Sequence, residues 1–87
     1  MKSRVVTVGV YLNDYEKVEN MGFKEAIRMI LCTKGDVCRV NIEPMLYKAI
    51  RVPVEWSVAL KTLAEKEEMT VVSYTAGRFY YLVRGEI

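Results

Sequence analysis

The chain contains no histidine and no glutamine, and only two cysteines and two prolines. Without histidine, the side chain that most often shuttles protons or binds metal near neutral pH is missing. Cys32 and Cys38 do not form a CxxC pair, and no histidine is present to complete a zinc site. Two core thiols is the ordinary reading of such a pair; a disulfide across the Lys34-Gly35 turn is the other. The glycines Gly9, Gly22, Gly35, Gly77 and Gly85 stand apart, so no glycine-rich phosphate loop exists. Aspartates and glutamates are spread along polar stretches, and no nucleophile sits beside a base, which argues against catalysis and against a bound cofactor. No small-molecule substrate is indicated.

Long apolar runs are also lacking, since none approaches the roughly 18–20 residues a membrane-crossing helix needs. Met1-Lys2-Ser3-Arg4 followed by Val5 to Leu12 has the charge order of a signal peptide. It alternates, however, and meets Asn13-Asp14 rather than a small-residue cleavage site. An intracellular, cytoplasmic protein without a membrane partner is expected. The missing glutamine and histidine, beside many Lys and Glu, point faintly to a thermophilic source. Strong charge of one sign is absent too: 13 basic against 11 acidic residues leave a net charge of +2. Residues 1–50 hold the whole excess and 51–87 balance to zero. That balance counts against indiscriminate nucleic-acid packaging.

What is present is enough for one core. Eighty-seven residues, 52% of them apolar, make a single domain. No internal repeat or linker is evident. Residues 4–12 alternate apolar and polar and predict a strand, while 14–20 fit a loop or a short helical turn. Over 21–34, Phe23, Ile27, Ile30 and Leu31 form one stripe of an amphipathic helix, with Lys24, Glu25 and Arg28 opposite and Gly35 as a stop. Residues 37–42 predict a brief strand. Residues 44–50 fit a two-turn helix after Pro44, through Leu46, Ala49 and Ile50. They fit a strand equally well, because Leu46, Lys48, Ile50 and Val52 alternate. Pro53 suits the start of a helix over 53–68 with a Trp56, Leu60, Leu63, Ala64 stripe. The β-rich runs 70–75 and 78–84, joined at Ala76-Gly77, predict a hairpin.

From Ala26-Ile27-Arg28-Met29-Ile30-Leu31 to Gly35, through Glu43 to Ile50 and Trp56 to Leu63, and on to Gly77-Arg78-Phe79-Tyr80-Tyr81-Leu82, the order of elements resembles the winged helix-turn-helix family of small prokaryotic and archaeal transcriptional regulators. That resemblance implies an α+β fold with an N-terminal strand extension over 1–20 and a winged-helix core over 21–87. It further implies a recognition helix opening at Pro53 and a wing carrying Arg78. The function implied is sequence-specific binding of double-stranded DNA by a homodimer that occupies a promoter or operator. In that arrangement Ser57, Val58, Lys61 and Thr62 lie on the outward edge of the recognition helix for base or phosphate contact. Lys48, Arg51 and Arg78 would hold phosphates. Solvated surface charge is the ordinary reading of the same lysines and arginines. If 46–52 is a strand, the order suits a ferredoxin-like α/β sandwich instead. Such a domain would serve as a protein–protein interaction module without DNA activity.

Overall fold

The structure, a computed structural model, describes residues 2–39 and 43–84. Alternation over the first residues gives β1 (Ser3–Tyr11), with Val6, Val8 and Val10 pointing inward. A 3₁₀ turn (Leu12–Asp14) leads into α1 (Tyr15–Met21) and α2 (Phe23–Cys32). Between these helices Gly22 takes a φ of 99°, a left-handed conformation that a Cβ would strain. Its N–H donates to the Val18 carbonyl at 2.9 Å and closes α1. The chain then forms β2 (Met45–Pro53), α3 (Val54–Lys66) and α4 (Val71–Arg84).

β1 and β2 pair antiparallel along their whole length, from Ser3 opposite Pro53 to Tyr11 opposite Met45, with Thr7 opposite Ala49 at the middle. Each strand is followed by two helices, so the chain is one strand–helix–helix unit used twice, its two strands zipped into a ribbon. Several positions at like places in the two units are buried alike. Val10 corresponds to Val52 and Val18 to Leu60, and all four are buried. Ala26, Ile27 and Ile30 of α2 correspond to Thr75, Ala76 and Phe79 of α4, again all buried. The core forms where the helices cover one face of the ribbon. There Val8, Val10 and Val52 meet Phe23, Ala26, Ile27, Ile30, Leu60 and Phe79. No described helix is long and apolar enough to cross a membrane.

The architecture is α+β, as expected, but the elements depart from the winged helix-turn-helix order in ways that have physical causes. Of the two readings of 44–52, the strand holds, because β1 supplies a partner for every backbone position. The hairpin expected over 70–75 and 78–84 is the single helix α4. Thr70 starts it, accepting the Ser73 N–H on its hydroxyl at 3.1 Å and the Tyr74 N–H on its carbonyl at 2.8 Å. Gly77, read as a turn, serves a close approach instead: a Cβ there would lie 2.5 Å from the Cys38 carbonyl oxygen. No wing exists in this stretch, and the strands that the ferredoxin-like alternative needs after residue 69 are likewise helical.

The smaller differences are local. The helix expected over 21–34 is interrupted at Gly22 and ends at Cys32, where Thr33 turns extended before Gly35 is reached. Residues 37–39 form no strand, and 40–42 of that expected strand lie outside the described residues. Cys38 is buried, whereas Cys32 is an exposed thiol and neither is bridged.

Candidate nucleic-acid interface

A two-stranded ribbon has two faces, and period-two alternation sends successive side chains to opposite ones. Here the helices pack mainly on one face, and on the other α4 covers only the Gly9–Tyr11 end. On that second face, Val5, Thr7, Tyr47, Ala49 and Arg51 stand exposed, Tyr47 at 68% and Val5 at 50%. Apolar side chains of that size facing water on a short sheet ask for a partner. The register makes this one surface, with Val5 directly across from Arg51, Thr7 across from Ala49, and Tyr47 across from Gly9. Arg51 reaches diagonally to Ser3, its Nη1 donating to the hydroxyl at 3.2 Å.

Charge is segregated along the same two segments of chain, though of their cations only Arg51 stands on the open face. Residues 2–12 carry Lys2 and Arg4, residues 44–54 carry Lys48 and Arg51, and neither segment holds a carboxylate. The whole chain nets only +2, so the ribbon is cationic against a remainder that is net acidic. Glu43 borders the open face beside Thr7 and Tyr47 but is spoken for. It accepts from the Asn13 N–H at 2.9 Å and from Arg84 Nη2 at 2.9 Å. The Asn13 backbone bond, reinforced by Arg84, lowers its pKa and keeps it ionised within that pair.

α4 fixes one side of this surface. The Gly9 N–H, on the free edge of β1, donates to the Thr75 hydroxyl at 2.9 Å. That hydroxyl lies 2.9 Å from the Val71 carbonyl and 3.0 Å from that of Val72, so the first turn of α4 is tied to the strand. The approach requires a glycine, since a Cβ on residue 9 would sit 2.6 Å from the Val72 oxygen. Thr70, Val72 and Ser73 thereby wall a groove of about 680 Å³ whose floor is Thr7, Met45 and Tyr47.

The residues singled out from sequence do not gather in one place. Arg51 lies on the open face. Lys48 belongs to the covered side of the ribbon, its Nζ 5.8 Å from the centre of the Phe23 ring. Ser57, Val58, Lys61 and Thr62 fall along the outer edge of α3, with Val58 54% exposed. Leu60 anchors α3 in the core on the covered face, so that edge points away from the open face. Arg78 is not on a wing at all. It is buried in α4, donating to the Tyr74 hydroxyl and the Thr33 carbonyl, each at 2.9 Å. Val5, Thr7, Tyr47 and Ala49 were not anticipated as site residues. Their signal was the pair of equally alternating segments 4–12 and 46–52, both free of acids.

Compared with known proteins, the chain matches no family model, no curated protein and no solved structure.

Proposed function

We propose that this protein binds double-stranded DNA in a sequence-specific manner, as a regulator occupying a promoter or operator, and that it reads the duplex with the open face of its ribbon. The expectation of DNA binding is kept, while the reader moves from the Pro53 helix to the two strands. The observation that carries the reading is a two-stranded ribbon whose uncovered face is lined by side chains from both strands, Arg51 among them, within two segments that hold four cations and no carboxylate. The major groove of B-DNA, roughly 12 Å wide, admits either a helix or a two-stranded β-ribbon. Arg51 on the open face and the exposed Lys2 and Arg4 at the same end of the ribbon bring positive charge to phosphates, and Val5, Thr7, Tyr47 and Ala49 meet base edges. A-form RNA, with its deep and narrow major groove, does not admit such a ribbon.

The test is binding of a labelled duplex across a salt series. With about three cations engaged, log K against log salt falls with a slope of about −2 to −3. Arg51→Ala weakens binding and reduces the slope by about 1. Lys61→Ala, on the far side, leaves affinity within about twofold, since it makes no phosphate contact in this arrangement. Affinity indifferent to salt, a preference for duplex RNA, or no duplex binding overturns the proposal. A larger loss for Lys61→Ala than for Arg51→Ala returns the reader to the edge of α3.

A further inference from the structure

The ribbon is built like the meeting of two subunits, yet its two strands are not copies. About the central Thr7–Ala49 pair, Val5 corresponds to Tyr47, Thr7 to Ala49, and Gly9 to Arg51. At none of these positions does the open face carry the same chemistry twice. Gly9 has no room for any side chain beneath Val72, so the site equivalent to Arg51 is structurally closed. The one exposed guanidinium on this face therefore stands at one end of the ribbon, beside Val5 and Ser3. Tyr47 occupies the other end, next to the groove under α4. The symmetry of an operator mirrors the symmetry of its reader, and this ribbon is twofold in strand register but not in chemistry.

We infer that one chain binds one duplex in a single orientation and that its target is a non-palindromic site, with a guanine at the Arg51 end and thymine at the Val5 and Ala49 positions. The inference rests on the reading of the ribbon as a DNA reader. Arginine suits guanine because its fork reaches O6 and N7 together. Valine, alanine and the threonine methyl suit the C5-methyl group of thymine. Arg51 is free to extend into the groove, because its partner on the protein is a serine hydroxyl and not a carboxylate.

The experiment is selection of bound duplexes from a randomised pool by the full chain, with the stoichiometry of the winning complex measured by native mass spectrometry. The expected result is a motif unlike its own reverse complement, held by one chain per duplex. The same selection with Arg51→Lys keeps the charge but loses the fork. It should relax the preference at the guanine position by about tenfold while leaving the rest of the motif unchanged. A palindromic motif, two chains per short duplex, or an unaltered guanine preference in Arg51→Lys overturns the inference while leaving DNA binding intact. Failure to enrich any sequence, together with no duplex affinity at low salt, removes the underlying reading instead.

Discussion

At the scale of single residues, several side chains do work that their type conceals. Arg78 is a surface cation by habit, but here its guanidinium joins α4 to the end of α2 through Tyr74 and the Thr33 carbonyl. Arg78→Ala is expected to lower stability by about 1–3 kcal/mol and, on the proposed reading, to leave duplex binding unchanged, checked by urea unfolding beside a binding titration. Gly77 packs against the 37–39 segment. Gly77→Ala offers about 0.5–1 kcal/mol of helix propensity. The collision with the Cys38 backbone costs more, about 1–3 kcal/mol, so thermal melting should show a net loss. Asp14 is buried and bonded through Oδ1 to Arg84 Nε at 2.6 Å, while its Oδ2 has no hydrogen-bond partner among the described residues. Burial raises its pKa above the ordinary 3.8, outweighing the pull of Arg84. A raised carboxyl favours the fold most below 3.8 and loses that contribution as pH rises through the folded value. Glu43, lowered, acts in the opposite sense and weakens the fold as pH falls. Asp14→Asn should therefore gain on the wild type between about pH 3 and about pH 7 in urea melts. A disadvantage that grows with pH would show the ion pair to be the stronger influence.

At the scale of elements, α4 is the decisive one. Its first turn satisfies the free edge of β1 through one hydroxyl. Thr75→Val, close in shape but without the acceptor, leaves the Gly9 N–H unmet and should cost about 1–3 kcal/mol, with amide exchange at Gly9 accelerated. This helix was also the least legible part of the sequence. Thr70-Val71-Val72 and Phe79-Tyr80-Tyr81 are β-prone residue types, and Gly77 between them has the look of a turn. Tertiary packing overrode those preferences, because Tyr74, Thr75, Ala76 and Phe79 all bury in one helix against the ribbon. Thr70 placed three residues before Ser73 was the available clue, a capping hydroxyl where a hairpin needs none. By contrast β1, α2 and α3 were readable, since their apolar spacing coincides with the faces they bury. β2 was readable only as one of two periods. Choosing between them depended on a partner strand far away in sequence, which no local window contains. The candidate site inherits that ambiguity: Arg51 was identified, but the face it belongs to exists only once β1 and β2 are paired.

At the scale of the whole molecule, the repeated unit went unseen because its two copies share burial pattern more than residue identity. Phe23, Ala26, Ile27 and Ile30 fill α2, whereas Tyr74, Thr75, Ala76 and Phe79 fill α4. Neither unit can close its own strand, and each lends the other a β partner. Unfolding should accordingly be a single transition for both halves. Because the partner strand is in the same chain, the midpoint of thermal unfolding should not move over a hundredfold change in protein concentration; an obligate dimer would shift. Residues 37–39 and 43–44 join the halves while packed along α4 rather than hanging free. Cys38 donates to the Gly77 carbonyl at 3.3 Å, and Pro44 accepts from the Leu12 N–H at 2.9 Å.

Having the two strands in one polypeptide also bears on how such a surface can be inherited. In an assembly of identical copies, a single codon change strikes both sides of the shared sheet at once. Here a mutation at Val5 or at Tyr47 reaches one end and spares the other, so the chemistry of the two ends can drift independently, one codon at a time.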